Sequence, residues 1–447
     1  MSEGVGVRAA AGGGATARLG DLDGRRIMRI TLQLEETEGL TTVDALTLEA
    51  GFGTACEKRL PIVASITTTG VAIEEGFDAI AAWGRAAKAL ANASGVVPTF
   101  IIATGPVVAG PALLLGLADM VVFVDGAHAF VSGPAMVESF TGVPISRSGL
   151  GGTGTHARSS GLAGLVASDH ESALDLVGAT LAHLPDHLDD MPPVTGTDDP
   201  SDRPTEIAST TIPDHPTGSY DVREIIRDLV DDGEFLELRG SWAPNMVTGF
   251  CFLGGRSVGV IANQSQALAG SIDIPASQKG ARFVAWCDAF NVPLLTLVDT
   301  SGFLPGKDLE WRGMIRHGAQ LAFAYARATV PRVAVILRKS YGGAYIVMDS
   351  TNMGNDLMIA WPSAEVAVMG AKGAVEILHR KASPEERATL EADYEARYLT
   401  PYPTAERGSI SQVIDPIETR ATLTAAFDLL ATKRERLRPR KHDNSPL

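Results

Sequence analysis

The groups in this sequence best suited to chemistry are small-residue turns at the ends of apolar strands: Ala109-Gly110, Ser301-Gly302, Gly342-Gly343-Ala344 and Gly370-Ala371-Lys372-Gly373-Ala374. Residues with little or no side chain let a ligand approach the backbone. Where a helix follows, its first N–H groups have no partner within the helix and can face developing negative charge. A single turn of this kind serves chain reversal alone, but four of them in two matching halves predict an oxyanion-stabilising site. Familiar machinery is absent from the sequence. It has no G-x-S-x-G elbow, no G-x-x-x-x-G-K-[ST] phosphate loop, no H-E-x-x-H and no G-x-G-x-x-G after a strand, so hydrolase, kinase and dehydrogenase readings lose support. His156, in Gly151-Gly152-Thr153-Gly154-Thr155-His156, is a lone loop histidine of the kind that is more often structural, and His379 and His442 are also single. Cys56, Cys251 and Cys287 have no ligand-like spacing, which predicts neither a disulfide framework nor a metal site.

The elements that carry these turns occur twice. Leu60-Pro61-Ile62-Val63-Ala64-Ser65-Ile66-Thr67-Thr68-Thr69-Gly70 reads like Val292-Pro293-Leu294-Leu295-Thr296-Leu297-Val298-Asp299-Thr300-Ser301-Gly302. Val97-Pro98 matches Val330-Pro331, and Val107-Val108-Ala109-Gly110-Pro111 matches Lys339-Ser340-Tyr341-Gly342-Gly343. Asp119-Met120-Val121-Val122 matches Asp356-Leu357-Met358-Ile359, and 127–134 matches 364–371. A spacing of about 235 residues kept through four elements is what a duplicated domain leaves behind, and two similar halves predict one active site built between them.

Composition sets the boundaries. The 447 residues, 45% hydrophobic and 20% charged, predict a large globular enzyme of two or three domains. A net charge of −15 argues against nucleic acid and anionic membrane surfaces as partners. No signal peptide or membrane-spanning run is seen in the sequence, which predicts a cytoplasmic protein. Residues 1–19, rich in Gly and Ala, read as disordered, and 185–219, crowded with Pro, Asp and Thr, read as a linker. These divide the chain into a first domain at 20–184 and a second at 220–447. Strands are predicted at 27–34, 62–66, 99–103 and 121–124, then at 257–262, 294–298, 333–337 and 366–369. Helices are predicted at 74–93, 171–183, 277–290, 311–328 and 384–397. Short strands alternating with helices predict an α/β fold with crossover connections.

Longer motifs in the second half point to a family. Trp242-Ala243-Pro244-Asn245-Met246-Val247-Thr248-Gly249-Phe250, Gly302-Phe303-Leu304-Pro305-Gly306, Arg338-Lys339-Ser340-Tyr341-Gly342-Gly343-Ala344-Tyr345 and Val368-Met369-Gly370-Ala371-Lys372-Gly373-Ala374-Val375 closely resemble the carboxyltransferase (beta) subunit of biotin-dependent acyl-CoA carboxylases, which include acetyl- and propionyl-CoA carboxylases. Lys441-His442-Asp443-Asn444-Ser445-Pro446-Leu447 resembles the family's K-H-x-N-I-P-L ending. The resemblance implies two tandem crotonase-like (ClpP/crotonase superfamily) domains of β-β-α spiral form. It also implies assembly as a homo-hexamer or mixed hexamer, with sites between the first domain of one subunit and the second domain of its neighbour.

The implied chemistry explains why no acid–base triad is found. Carboxybiotin on a separate carrier protein releases CO2, the ureido anion takes the proton α to an acyl thioester, and the enolate captures CO2; no metal or nucleotide is bound by this subunit. The protein positions the reactants and stabilises enolate-like oxygens with backbone N–H groups. By resemblance, Ala109 and Gly110 form the hole for the thioester oxygen, and Gly373 and Ala374 the hole for the biotin oxygen. Thr68, Thr69, Gly70, Gly133 and Gly152 fall on the acyl-CoA side, and Glu376 where the family lines the acyl pocket. Phe303, Leu304, Pro305, Tyr341, Gly342, Gly343 and Ala344 fall on the biotin side.

The first half departs from the pattern where the acyl-CoA is expected. The family's S-G-G-A-R is Thr68-Thr69-Gly70-Val71-Ala72 here, and its A-G-G-A is Val108-Ala109-Gly110-Pro111, in which Pro111 removes a donor. Gly133-Pro134, Gly151-Gly152 and Thr155-His156 still follow it, while the family's N-terminal helical extension is not seen. Three readings remain at this level: a carboxyltransferase with an altered acceptor, a biotin-dependent decarboxylase running the reverse transfer, and a degenerate scaffold subunit of a mixed carboxylase complex.

Overall fold

The computed structural model describes residues 6–9, 13–34, 38–213, 215 and 217–446 of the chain. The chain separates into two compact units, Met1–Pro192 and Pro193–Leu447. In the first, the sheet runs Gly6–Ala9, Ala15–Leu22, Arg25–Gln33, Ile62–Thr68, Thr99–Val108, Met120–Val124, Leu165–Ala167, and the short strand His128–Phe130 pairs with the far end of Thr99–Val108. The first two pairings are antiparallel and the others parallel. Parallel strands are covered on both faces, which is why Ile62–Thr68 is buried almost throughout and Met120–Val124 is a continuous apolar run. Leu48 and Phe52 from helix Thr42–Lys58 and Ala82, Ala86 and Leu90 from helix Phe77–Ala93 share a core with Ile62, Ala64 and Ile66.

The second unit repeats the plan. Its sheet runs Phe235–Leu238, Met246–Leu253, Arg256–Asn263, Leu294–Thr300, Arg332–Tyr341, Leu357–Ala360, Gln412–Val413, with Glu365–Ala367 paired to the far end of Arg332–Tyr341. Even the irregularities coincide. Each central parallel ladder breaks register near its end, between Ile66 and Thr68 in one unit and between Val298 and Thr300 in the other. Thr68 then faces Val107, and Thr300 faces Ser340. The structural match therefore sets Ala109 against Gly342 and Gly110 against Gly343, one residue beyond the match read from sequence.

Three expectations are corrected. Residues 1–5 and 10–12 lie outside the described residues, but Gly6–Ala9 and Ala15–Leu22 are strands, not part of a disordered terminus. Ala15 and Ala17 are buried opposite Leu32 and Ile30, a packed edge that Gly- and Ala-rich composition conceals. The second correction concerns 185–219, whose later part folds onto the second unit. The Thr195 N–H donates to the Gly255 carbonyl at 2.8 Å, helix Glu206–Thr211 places the Ala208 N–H on Asp228 at 2.8 Å, and fully buried Arg420 binds the Pro200 carbonyl at 2.9 Å and Asp231 at 2.7 Å. Polar bonds hold much of this segment, with Ala208 and Ile212 its apolar contacts to the second-unit core, so its composition reads as a linker. Third, the helix expected at 311–328 is two, Lys307–Trp311 and Met314–Arg327, parted at Gly313, whose φ of +95° breaks the helical path. Among the described residues, no helix is long and apolar enough to cross a membrane.

Candidate active site

Each unit ends its two central strands in a pair of facing turns. In the first unit Thr68 is fully buried; its hydroxyl donates to the Gly70 carbonyl at 2.8 Å and accepts from the Gly70 N–H at 3.3 Å, and Gly70 turns with φ +126°. The Thr69 hydroxyl donates to the Glu38 carbonyl at 2.9 Å. Thr300 and Gly302 repeat the arrangement, with Gly302 at φ +134°. Thr68 therefore shapes the turn and does not itself face a ligand.

The opposite turn follows strand Thr99–Val108. Ala109 has φ +60° and ψ −146°, a region that is essentially reserved for glycine, and its counterpart Gly342 has φ +57°. The Ala109 N–H donates to the Phe130 carbonyl at 2.9 Å, one step beyond the ladder between Thr99–Val108 and His128–Phe130. This corrects the expectation that both Ala109 and Gly110 offer donors: only the Gly110 N–H, the first of the turn Gly110–Ala112, is left for a ligand. The Ala109 methyl also fills the mouth of the first pair of turns, since a Cβ built on Gly70 would lie 3.5 Å from it, whereas one built on Gly302 meets nothing within 4 Å.

Beside this turn lies a cleft of about 490 Å³, within the range of small-molecule sites. Val108, Phe130 and Met136 give it an apolar wall, Thr69 and Gly133 line it, and His128 and Arg147 add polar groups. The rings of His128 and Phe130 stack with centroids 5.5 Å apart. Gly133 caps helix Pro134–Thr141, which carries Met136 into the cleft. Gly152 does not line the cleft. It bridges to His128, and a Cβ there would lie 2.7 Å from the Ser148 carbonyl oxygen, so it serves close packing. His156 is structural as expected: Nε2 meets the Ala129 carbonyl at 2.8 Å and Nδ1 the Ser160 hydroxyl at 2.7 Å.

In the second unit, Gly342–Val347 begins a helix at the strand end, so the Gly343 and Ala344 N–H groups have no place in its regular bonding. Phe303 packs across this turn, its Cε2 3.5 Å from where a Gly343 Cβ would be, and a Cβ on Gly342 would lie 3.0 Å from the Val368 carbonyl oxygen. Leu304 is tied back through its N–H to the Ile272 carbonyl at 2.9 Å, Pro305 is exposed, and Ala344 is buried. The Tyr341 hydroxyl donates to Glu365; burial and that carboxylate push its acidity well out of the physiological range, so it is a fixed donor. Behind the turn, buried Asp299 holds Arg338 at 3.0 Å and the Lys339 N–H at 3.0 Å, fixing the two strand ends together.

Two expectations change here. The Ala374 N–H donates to the Gly370 carbonyl at 3.1 Å within helix Ala371–Leu378, so Gly373 and Ala374 are not a pair of donors; the counterpart of Ala109-Gly110 is Gly342-Gly343. Glu376 is exposed, so no buried carboxylate restricts an acyl chain there. One residue had escaped notice altogether. Trp83, on helix Phe77–Ala93, lays its indole edge against Gly110. Its sequence neighbours are ordinary helix formers, and nothing in its spacing distinguishes it from core.

Comparison with known proteins bears on this arrangement. A family model described as the carboxyl transferase domain matches residues 15–445. The propionyl-CoA carboxylase beta chain of Saccharopolyspora erythraea is 42% identical over 98% of this chain and 84% of its own length. The methylmalonyl-CoA decarboxylase subunit alpha of Veillonella parvula is 38% identical over 98% of this chain and 86% of its own. Among solved structures, transcarboxylase 12S, a hexamer with methylmalonyl-coenzyme A and methylmalonic acid bound, superposes with a TM-score of 0.95 at 36% identity, covering 97% of this chain and 85% of that one.

Proposed function

The chain belongs to the carboxyl transferase domain family, and we propose from that premise that it moves a carboxyl group from a biotin carrier to the α-carbon of a short acyl-CoA. The observation that carries this reading is one turn design built twice, with a ligand-facing N–H at Gly110 in one unit and at Gly343 in the other. Carboxybiotin supplies the CO2 and the ureido nitrogen that accepts the α-proton. The second-unit turn fits such a ring, because its glycines leave the backbone bare and Phe303 offers an aromatic wall beside Gly343. There the Gly343 N–H holds the ureido oxygen.

In the first unit the Gly110 N–H donates to the thioester oxygen as the enolate forms. A fixed donor aimed at developing charge needs no reorganisation at the moment of reaction. Val108, Phe130 and Met136 offer the acyl chain an apolar wall beside that donor. The apolar wall suits the acyl part of a thioester, and the cleft of about 490 Å³ has room for it together with the adjoining part of its carrier. The propionyl-CoA carboxylase and transcarboxylase relatives support a short acyl-CoA as acceptor over an unusual one, and the latter supports a hexamer. The likeness to a methylmalonyl-CoA decarboxylase subunit favours a second reading in which the same half-sites run the transfer in reverse.

The test supplies the purified protein with a biotin carboxylase, its biotin carrier, ATP and labelled bicarbonate, and follows acid-stable label into a panel of acyl-CoAs. Label in acetyl- or propionyl-CoA is expected. A charged carrier that yields no labelled acyl-CoA, together with label moving from a malonyl-type thioester to the carrier, would replace the forward reading with the reverse one.

A further inference from the structure

We propose that the indole N–H of Trp83 is the second hydrogen-bond donor to the thioester oxygen, beside the Gly110 N–H. This inference rests on the reading above that the first-unit turn receives the acyl thioester.

An oxyanion is held well by two convergent donors, and the turn at Ala109-Gly110 provides one from its own backbone. The Ala109 N–H is engaged by Phe130, Pro111 has no N–H, and the Ala112 N–H donates to the Ala109 carbonyl at 3.1 Å. In the facing turn the Thr68 and Thr69 hydroxyls are engaged, donating to the Gly70 and Glu38 carbonyls. Trp83 brings a side-chain donor beside the same turn. A Cβ built on Gly110 would sit 2.9 Å from its Cζ2 and 3.1 Å from its Nε1. Since a Cβ is roughly 2.5 Å from its own backbone nitrogen, Nε1 and the Gly110 nitrogen are at most about 5.6 Å apart. An oxygen about 2.9 Å from each can accept from both. The indole N–H makes no hydrogen bond among the described residues, although a half-buried tryptophan ordinarily finds a partner for it.

The second unit shows the complementary solution. There the residue matching Gly110, Gly343, faces the Phe303 ring, which has no donor, and the residue matching Pro111 is Ala344, which keeps its N–H. Where proline has removed a backbone donor, an indole reaches the turn from helix Phe77–Ala93, whereas the phenyl ring of the second unit comes from the facing turn.

Trp83→Phe keeps a ring and deletes the N–H. We expect kcat for carboxyl transfer to fall about 100-fold with KM for the acyl-CoA within about twofold, as for loss of one oxyanion donor. Affinity for a nitronate analogue of the acyl-CoA, which mimics the enolate, should fall by a similar factor while affinity for the unreacted thioester holds. A wild-type protein that transfers to no acyl thioester would overturn the underlying reading. An active wild type whose Trp83→Phe variant keeps kcat and analogue affinity would overturn this inference alone. If that variant does not fold, the wild type labelled with ¹⁵N-indole decides. Trp83 is the one tryptophan of the first unit, and its N–H resonance should move downfield with the nitronate and not with the thioester; an unmoved resonance refutes the proposal.

Discussion

At the residue scale the first-unit site depends on a strained alanine. Ala109 holds φ +60° and ψ −146°, at a cost of about 1–3 kcal/mol for a residue with a Cβ, while glycine at the same place loses about 0.5–1 kcal/mol in chain entropy. Ala109→Gly should therefore stabilise the first unit by about 1 kcal/mol, read as a higher denaturant midpoint; a lower midpoint would show that the methyl packs more favourably than its backbone is strained. The small residues of this turn marked it in the sequence as a place where a ligand could reach the backbone. Which N–H remains for a ligand was not legible there. The Ala109 donor is removed by Phe130, on a strand that joins the ladder only in the fold, and Trp83 reaches Gly110 from a helix that begins before strand Thr99–Val108.

Elements position these residues through their ends. Helix Thr42–Lys58 starts with a capping box in which Asp44, fully buried, accepts from the Thr41 N–H at 3.1 Å and also from the Ala15 N–H at 2.8 Å, tying the helix to strand Ala15–Leu22. Asp44→Ala removes the return half of the capping box, the Thr41 hydroxyl still accepting from the backbone N–H of residue 44, and leaves the Ala15 N–H unpaired; it should cost about 3 kcal/mol in chemical denaturation. A loss under 1 kcal/mol would mean that water replaces both bonds. After helix His170–Leu181, burial pulls the His183 imidazole from 6.5 down to about 4. Between these values the unfolded chain binds a proton that the folded chain refuses. The contribution to stability is thus complete above pH 6.5 and lost as pH falls toward 4, with a slope of at most about 1.4 kcal/mol per pH unit. His183→Leu should flatten that part of the stability profile, and an unchanged slope would place the proton elsewhere. Central strands such as Ile62–Thr68 and Leu294–Thr300 were readable because burial on both faces makes them densely apolar, starting at Ile62-Val63-Ala64 and Leu294-Leu295. The Ala15–Leu22 edge was not, since two buried alanines leave too weak a pattern.

For the whole molecule, the duplication was visible in the order of strands, glycines and strand-opening prolines, and the sheets repeat it strand for strand. Its register was misread by one residue because the ladder irregularities before Thr68 and Thr300 leave no mark in composition. That slip hid the equivalence of Gly110 and Gly343. With the register corrected, the two units carry one turn design, to which the proposed function assigns two substrates, the acyl thioester in the first and biotin in the second. The most direct test is a steady-state comparison of Phe130→Ala and Phe303→Ala in the full-length protein with the carboxylated carrier and the acyl-CoA varied separately. Phe130→Ala should raise KM for the acyl-CoA about tenfold and leave that for the carrier unchanged, and Phe303→Ala should do the opposite. Both variants moving the same KM would contradict the division of substrates between the two turns.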